Sequence, residues 1–235
     1  MKTDLNLQDL RVDYGRDPLR EASINPNPLE QFRQWFQEAS DAGIAEPNAM
    51  SLATSDSSGH IACRTVLLKG FDERGFVFFT NYGSRKAAHL AQNPRAALLF
   101  PWITIERQVE VTGSVKKISE EESLAYFLSR PAGSQLGAWV SEQSSEIPSR
   151  EFLLARFEEM KSRFSTGPIP KPDFWGGYCV EPETIEFWQG GRDRLHDRFR
   201  YTKKTARGHT CGYHRKFSFL PIPRGYPCRA PSSAL

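Results

Sequence analysis

The sequence predicts a mainly β domain, an antiparallel barrel with added helices, and three observations carry that expectation. Strand-like segments follow one another in nearly continuous order from Ala49 to Lys117. Helix-like patterns with start signals are concentrated on the flanks, near 27–39, 119–129 and 150–164. The chain has 235 residues, of which 39% are hydrophobic and 25% charged, ordinary values for one well-buried globular domain.

The first helix opens with Asn27 as cap, Pro28 at the first helical position and Glu30 behind it, and Leu29, Phe32, Trp35, Phe36 and Ala39 form one apolar face to pack on the barrel. Strands are expected near Ala49–Thr54, His60–Leu68, Gly75–Thr80, Ala96–Pro101 and Arg107–Lys117. Phe71-Asp72-Glu73-Arg74-Gly75 has hairpin-loop chemistry, and Ser84 is suited to cap a helix through about Leu90. Ser119 with Glu122 makes a capping box for a helix to about Ser129, and another helix is expected over 150–164. The last strands are expected at Gly177–Val180, Thr184–Trp188 and Arg194–Tyr201. No internal repeat is present.

Charge is unevenly spread. From Lys203 onward there are seven Lys or Arg and no acid, leaving 24 basic and 28 acidic residues before it, so the net +3 comes from the end of the chain and does not argue for nucleic-acid binding. Breakers in 205–208, 221–225 and 230–233 make this segment read as weakly ordered. The expected organisation is an N-terminal arm (1–26), a barrel domain (27–202) and an atypical basic tail (203–235). Cys63, Cys179, Cys211 and Cys228 form no C-x-x-C pair, so reduced thiols are expected. His209, Cys211, His214 and Cys228 fit no standard zinc spacing, and no metal is expected. No apolar run approaches a membrane span and the start lacks a secretory core, which favours a cytoplasmic protein without membrane partners.

Two basic constellations stand out. A helix start at Ser84-Arg85-Lys86 offers free N–H groups, a favourable dipole end and two cations, a combination that suits a phosphate monoester. The second is the stretch from Glu186 to Arg198. If 194–198 is extended, Arg194, His196 and Arg198 share one face with Leu195 turned away, a cationic wall suited to a planar anion. A solvated strand with alternating charges is the plainer alternative. Tyr126 and Arg130, four apart on a helix, point the same way, and Ser134 follows just beyond Pro131, a second hydroxyl–guanidinium set for a phosphate. Strict alternation places Arg64 and Lys69 on opposite strand faces unless the strand bends at Gly70.

The ordered series Arg64 to Lys69, Ser84-Arg85-Lys86, Glu106-Arg107-Gln108-Val109, Ser129-Arg130-Pro131, Gln143-Ser144-Ser145 and Phe174-Trp175-Gly176-Gly177 closely resembles the pyridoxamine 5′-phosphate oxidase family from about Leu10 to Lys203. The resemblance implies an FMN-binding split β-barrel working as a homodimer with cofactor sites at the subunit interface. It implies FMN contacts at Arg64, Thr65, Val66, Leu67, Leu68, Lys69, Phe79, Thr80, Arg85, Lys86, Gln108, Gln143, Ser144, Trp188 and Arg198. For the substrate it implies Lys69, Tyr126, Arg130 and Ser134 around the phosphate. Arg194 and His196 are the expected catalytic pair, Leu195 lies between them, and Arg11, Val12, Asp13 and Tyr14 form an arm over the bound substrate. The implied reaction oxidises pyridoxamine 5′-phosphate or pyridoxine 5′-phosphate with oxygen to pyridoxal 5′-phosphate and hydrogen peroxide, with hydride leaving C4′ for the flavin. A non-catalytic flavin or vitamin-phosphate carrier would use the same pockets. The family's terminal Arg-Leu-x-Pro pattern is only faintly echoed by Cys228-Arg229-Ala230-Pro231.

Overall fold

In the computed structural model the described residues are Leu7, Leu10, 12–140, 143–206 and 209–217, with backbone alone described at 205–206, 209–212 and 217. They form a nine-stranded antiparallel sheet curled into a split barrel, together with five α-helices. The strands are β1 (Ala49–Ser55), β2 (Ile61–Leu67), β3 (Gly70–Asp72), β4 (Gly75–Asn81), β5 (Arg95–Trp102), β6 (Arg107–Lys117), β7 (Trp175–Gln189), β8 (Asp197–Ala206) and β9 (His209–Phe217). The helices are α1 (Pro28–Asp41), α2 (Arg85–Gln92), α3 (Glu120–Ser129), α4 (Ala132–Val140) and α5 (Arg150–Arg163). The sheet order is β2-β1-β5-β6-β7-β4-β3, with β8 joined to β7 and β9 to β8.

Alternating side chains explain the curl. In β1 and β5 every second residue is buried, and Met50, Leu52, Leu98 and Phe100 fill the interior with Val109 and Val111 of β6. Helix α1 closes the core. Asn27 accepts the Leu29 N–H at 2.9 Å, and the apolar face delivers Phe32 to within 4.9 Å, ring centre to ring centre, of Phe71, Phe76 and Phe100. The capping box at Ser119 forms as the sequence suggests and starts α3.

Four elements differ from the sequence expectations. The two strands expected at 177–180 and 184–188 are one continuous β7, because Pro182 lies opposite Gly113 where the β6–β7 register shifts. A Cβ on Gly113 would lie 1.9 Å from the Glu181 carbonyl oxygen, so the close approach requires glycine. Helix α4 occupies residues read only as a turn after Pro131. The stretch 194–198 is not extended throughout: Arg192–Arg194 is a turn of 3-10 helix, Asp193 and Arg194 have left-handed φ values of 54° and 65°, and β8 begins only at Asp197. The single cationic face of Arg194, His196 and Arg198 is therefore not formed. Arg194 is exposed, His196 buried and Leu195 half-exposed.

The boundary expected at 203 crosses a hairpin. β8 continues to Ala206 and β9 pairs with it from Phe199↔Phe217 to Ala206↔His209. Arg215 donates to the Ile24 carbonyl at 3.0 Å and to Glu21 at 2.9 Å, and Tyr213 packs on the core. The remainder of the expected tail, 218–235, falls outside the described residues, as does Arg11.

Candidate functional site

Two regions carry the chemistry. The first is a cavity of about 650 Å³ between β2, β4, α2, α3 and α4. Arg64, Thr65, Val66, Leu67, Lys69, Phe79, Thr80, Arg85, Lys86, Tyr126, Arg130, Ser134, Gln143 and Ser144, all expected from the sequence, line it. Arg64 and Lys69 reach the same space because β2 ends at Leu67. Leu68 turns into the core at 5% exposure while its N–H donates to the Asn48 carbonyl, and the Lys69 N–H donates to Val77 on β4. The Leu68 side chain packs in the core and does not line the cavity, so a flavin contact there would be through the backbone.

At one end Lys86 donates to Thr80 at 3.1 Å and to Gln143 at 2.8 Å, and the Arg85 N–H donates to the Ser144 hydroxyl at 3.3 Å. Ser84 is the N-cap of α2, but its hydroxyl makes no capping bond and is buried without a partner. Arg64 spends one Nη on the Leu52 carbonyl and Thr54, and its other Nη is buried and unpaired. Burial and repulsion from Arg64 press Lys86 down to about 8, and burial with repulsion from Arg85 lowers Arg64. Such orphan donors in a cationic pocket are what an oxyanion would satisfy.

At the other end Arg130 caps the C-terminus of α3, and one of its Nη atoms is likewise buried without a partner. Its guanidinium lies 4.7 Å over the Trp175 ring. Phe79, Tyr126 and Trp175 lie with nearly parallel rings, Phe79 4.0 Å from Tyr126 and 5.3 Å from Trp175 and those two 6.2 Å apart, centre to centre. Among the lining residues there are five Lys or Arg and no carboxylate. Sequence reasoning did not single out Asn81, Gly137 and Ala138, and it noted Trp175 only as part of a motif without a ligand role, yet all four also line the cavity. Pro131 after a helix end is the signal that could have announced α4, since proline favours a first helical position.

The second region is a row across three strands. Gln108 of β6 pairs with Trp188 of β7, which pairs with Arg198 of β8, and all three lie on the face opposite the buried row Val109, Phe187 and Phe199. Arg198 is held by buried Glu186 at 3.2 Å. The His196 ring lies 4.8 Å from Trp188, and its Nδ1 accepts the Gly191 N–H at 3.1 Å, which leaves Nε2 to carry the proton. Burial, then the nearby Arg194, lowers the His196 pKa and keeps the ring neutral. Tyr14 of the arm packs edge-on to Trp188 (5.9 Å) and His196 (5.4 Å), and Arg194 lies 5.5 Å over its ring. Val12 and Asp13 are exposed.

Gln108, Trp188, Arg194, His196 and Arg198 do not line the cavity. β7 runs past both regions: Gly176 beside the cavity and Trp188 in the row are separated along it by a contour of at most roughly 40 Å of strand. Among the described residues no helix is long and apolar enough to cross a membrane, and no group of three or more potential metal ligands occurs.

Comparison with known proteins agrees with this architecture. Residues 36–164 match the family described as pyridoxamine 5′-phosphate oxidase, and residues 175–216, which include most of β9, match the pyridoxine 5′-phosphate oxidase C-terminal dimerisation region. A pyridoxine/pyridoxamine 5′-phosphate oxidase from Crocosphaera subtropica is 55% identical over 211 residues, covering 90% of this chain and 99% of its own. One from Burkholderia mallei is 58% identical over 200 residues, covering 85% and 93%. Among solved structures, PhzG from Burkholderia lata in complex with tetrahydrophenazine-1-carboxylic acid superposes with a TM-score of 0.76 at 30% identity, covering 87% of this chain and 98% of that one. A pyridoxamine 5′-phosphate oxidase-related, FMN binding protein from Nostoc punctiforme shares the fold, with a TM-score of 0.65 at 15% identity over 84% of this chain and 100% of its own. With its split barrel, its cationic cavity and these relatives, the chain belongs to the pyridoxamine 5′-phosphate oxidase family.

Proposed function

We propose that this protein is an FMN-dependent oxidase of pyridoxamine 5′-phosphate and pyridoxine 5′-phosphate, acting in cytoplasmic vitamin B6 metabolism as a homodimer. The observation that carries the reading is the cavity: five cations, no carboxylate, and a buried unpaired guanidinium nitrogen on each of two lining residues, Arg64 and Arg130. Two separate cationic ends suit two phosphate groups, one on the cofactor and one on the substrate.

The residues fit FMN. Ser84, Arg85, Lys86 and Ser144 would hold its phosphate at the α2 N-terminus, with Arg64 beside them, and Thr80 and Gln143 keep Lys86 in place. FMN, when bound, accepts the hydride from the substrate and returns the electrons to oxygen. Lys69, Tyr126, Arg130 and Ser134 would fix the substrate phosphate, leaving the ring to be oriented by contacts at its other end. The alcohol and oxygen give pyridoxal 5′-phosphate and hydrogen peroxide. The amine takes up one water in addition and releases ammonia.

Gln108, Trp188, Arg194, His196 and Arg198 would complete the site from the second subunit, because none of them lines the cavity of their own chain. The match of 175–216 to a dimerisation region supports this arrangement. In it, neutral His196 presents an Nε2–H donor to a ring substituent while Arg194 orients the reacting end, and neither has to carry a proton between steps. The test is to purify the chain, reconstitute it with FMN and follow oxygen-dependent formation of pyridoxal 5′-phosphate. Turnover of either B6 phosphate supports the oxidase, whereas tight flavin or B6-phosphate binding with no turnover supports the non-catalytic carrier.

A further inference from the structure

The motif Glu106-Arg107-Gln108-Val109 leaves Glu106 without a part in the cavity or the row, yet its surroundings are specific. Glu106 sits in the turn between β5 and β6 with a left-handed φ of 56°. Its backbone carbonyl accepts the Gly190 N–H at 2.8 Å. Its carboxylate accepts the backbone N–H groups of Gly15, at 3.1 Å to each oxygen, and of Arg16, at 3.2 Å. One residue thus grips both the arm and the glycine against which the arm lies. Arg16 adds a 2.6 Å bond from its Nε to the Ile105 carbonyl.

Two further bonds fasten the arm beyond that point. Gln189 donates to the Asp17 carbonyl at 2.9 Å, and the Leu19 N–H donates to buried Asp197 at 2.7 Å. Gln189 is itself oriented by Arg107, which stacks 4.2 Å over Trp35 and pairs with Glu38. The anchors therefore belong to the rigid sheet, while the arm contributes mainly backbone groups, so its path is set by where the acceptors stand. Between these anchors and Val12, the Tyr14 ring lies against Gly190. A Cβ there would come within 2.7 Å of the ring, so only glycine admits it.

We propose that Glu106 is a positioning residue, a latch that holds the arm so that Tyr14 closes over Arg194 and His196, and that Gly190 is the seat that lets the ring close. This rests on the oxidase reading for its kinetic consequence, but the latch itself is visible in the free protein by amide exchange. Without the latch the arm still reaches the row, only less often, so substrate retention suffers before the reacting geometry does.

The experiment uses the FMN-reconstituted full chain with Glu106→Gly, Gly190→Ala and the double variant, and the same substitutions in a chain lacking residues 1–16. Glycine is chosen at 106 because it removes the carboxylate and accepts the left-handed backbone without strain. Loss of two bonds to a charged acceptor is expected to speed exchange of the Gly15 and Arg16 amides by about tenfold and to raise KM for pyridoxamine 5′-phosphate by about tenfold, with kcat changed much less. Gly190→Ala is expected to give the same KM rise, the double variant no more than the larger single effect, and the arm-less chain no response to either substitution. Unchanged amide exchange in Glu106→Gly, or an equal kinetic loss in the arm-less chain, overturns the latch and leaves Glu106 as a residue that merely shapes its turn. Faster exchange together with an unsubstituted protein that oxidises neither B6 phosphate upholds the latch and overturns the oxidase reading instead.

Discussion

The cavity and the Gln108–Trp188–Arg198 row are both rich in cations, yet their charges are settled in opposite ways. In the row, Arg198 already has Glu186, His196 already accepts from Gly191, and Tyr14 covers what remains. In the cavity, Arg64 and Arg130 each leave a buried nitrogen unpaired, and Lys86 is held by neutral partners alone. Unpaired buried donors cost free energy, so the fold maintains the cavity for an anion and can maintain the row without one. The difference separates tasks. On the proposed reading the cavity would grip phosphate, and the row would supply orientation around a ligand held elsewhere.

The largest expected effect follows from that grip. Replacing Arg85 and Lys86 together by alanine removes two charge-assisted phosphate contacts, each worth about 1.5–3 kcal/mol, and should weaken FMN binding by about 3 kcal/mol or more in a fluorescence titration. Flavin affinity unchanged by the double substitution would remove the cofactor phosphate from this end. Next, Arg130→Ala should raise KM for pyridoxamine 5′-phosphate by about ten- to a hundredfold while flavin content stays the same, since only the substrate end loses its guanidinium. A parallel loss of flavin in that variant would merge the two ends into one.

Substitutions in the row should act differently. Arg194→Ala or His196→Ala is expected to lower kcat/KM by about tenfold with the flavin spectrum preserved. If flavin is lost and substrate affinity is not, the assignments of the two regions are reversed.

The smallest effect is a pH dependence. The pKa of Lys86 is depressed to about 8 in the free protein, and a bound phosphate dianion favours its charged form, so FMN binding raises that pKa and takes up a proton above pH ~8. Affinity should therefore be level from about pH 7 to 8 and fall by up to about tenfold toward pH ~9. Lys86→Gln should bind more weakly and lose the fall. A fall that persists in Lys86→Gln would assign the titration to another group.

Most of the cavity was legible in the sequence because its residues come from local signals. A helix start gave Ser84-Arg85-Lys86, and four-residue helical spacing gave Tyr126 with Arg130. The face assignment failed at Arg194 because two left-handed residues break the alternation, and nothing in Asp193-Arg194 announces positive φ. Helix α4 was hidden by Gly133 and Gly137, residues that weaken a helical reading, although Gly137 lines the cavity wall. The end of the sheet was misplaced for a different reason. Loss of acidic residues after Lys203 reads as a change of character, yet Tyr213 and Arg215 alternate inward with exposed His214 and Lys216 and make an ordinary strand. What no local signal could give is that the row stays out of the lining of the cavity in its own chain, which depends on the course of the long unbroken β7 through the sheet.

The claim that these two regions meet only between subunits is tested most directly by complementation. Arg85→Ala/Lys86→Ala chains lack a working cavity, and His196→Ala chains lack a working row. Each should retain about a tenth or less of the unsubstituted activity in oxygen-dependent pyridoxal 5′-phosphate formation at subsaturating substrate. Co-expressed with different tags and isolated as the mixed dimer, they should regain about half the activity of the unsubstituted dimer, because one of the two composite sites is then built from intact parts. A mixed dimer no more active than the average of its parents would contradict the account and place cavity and row in separate functions.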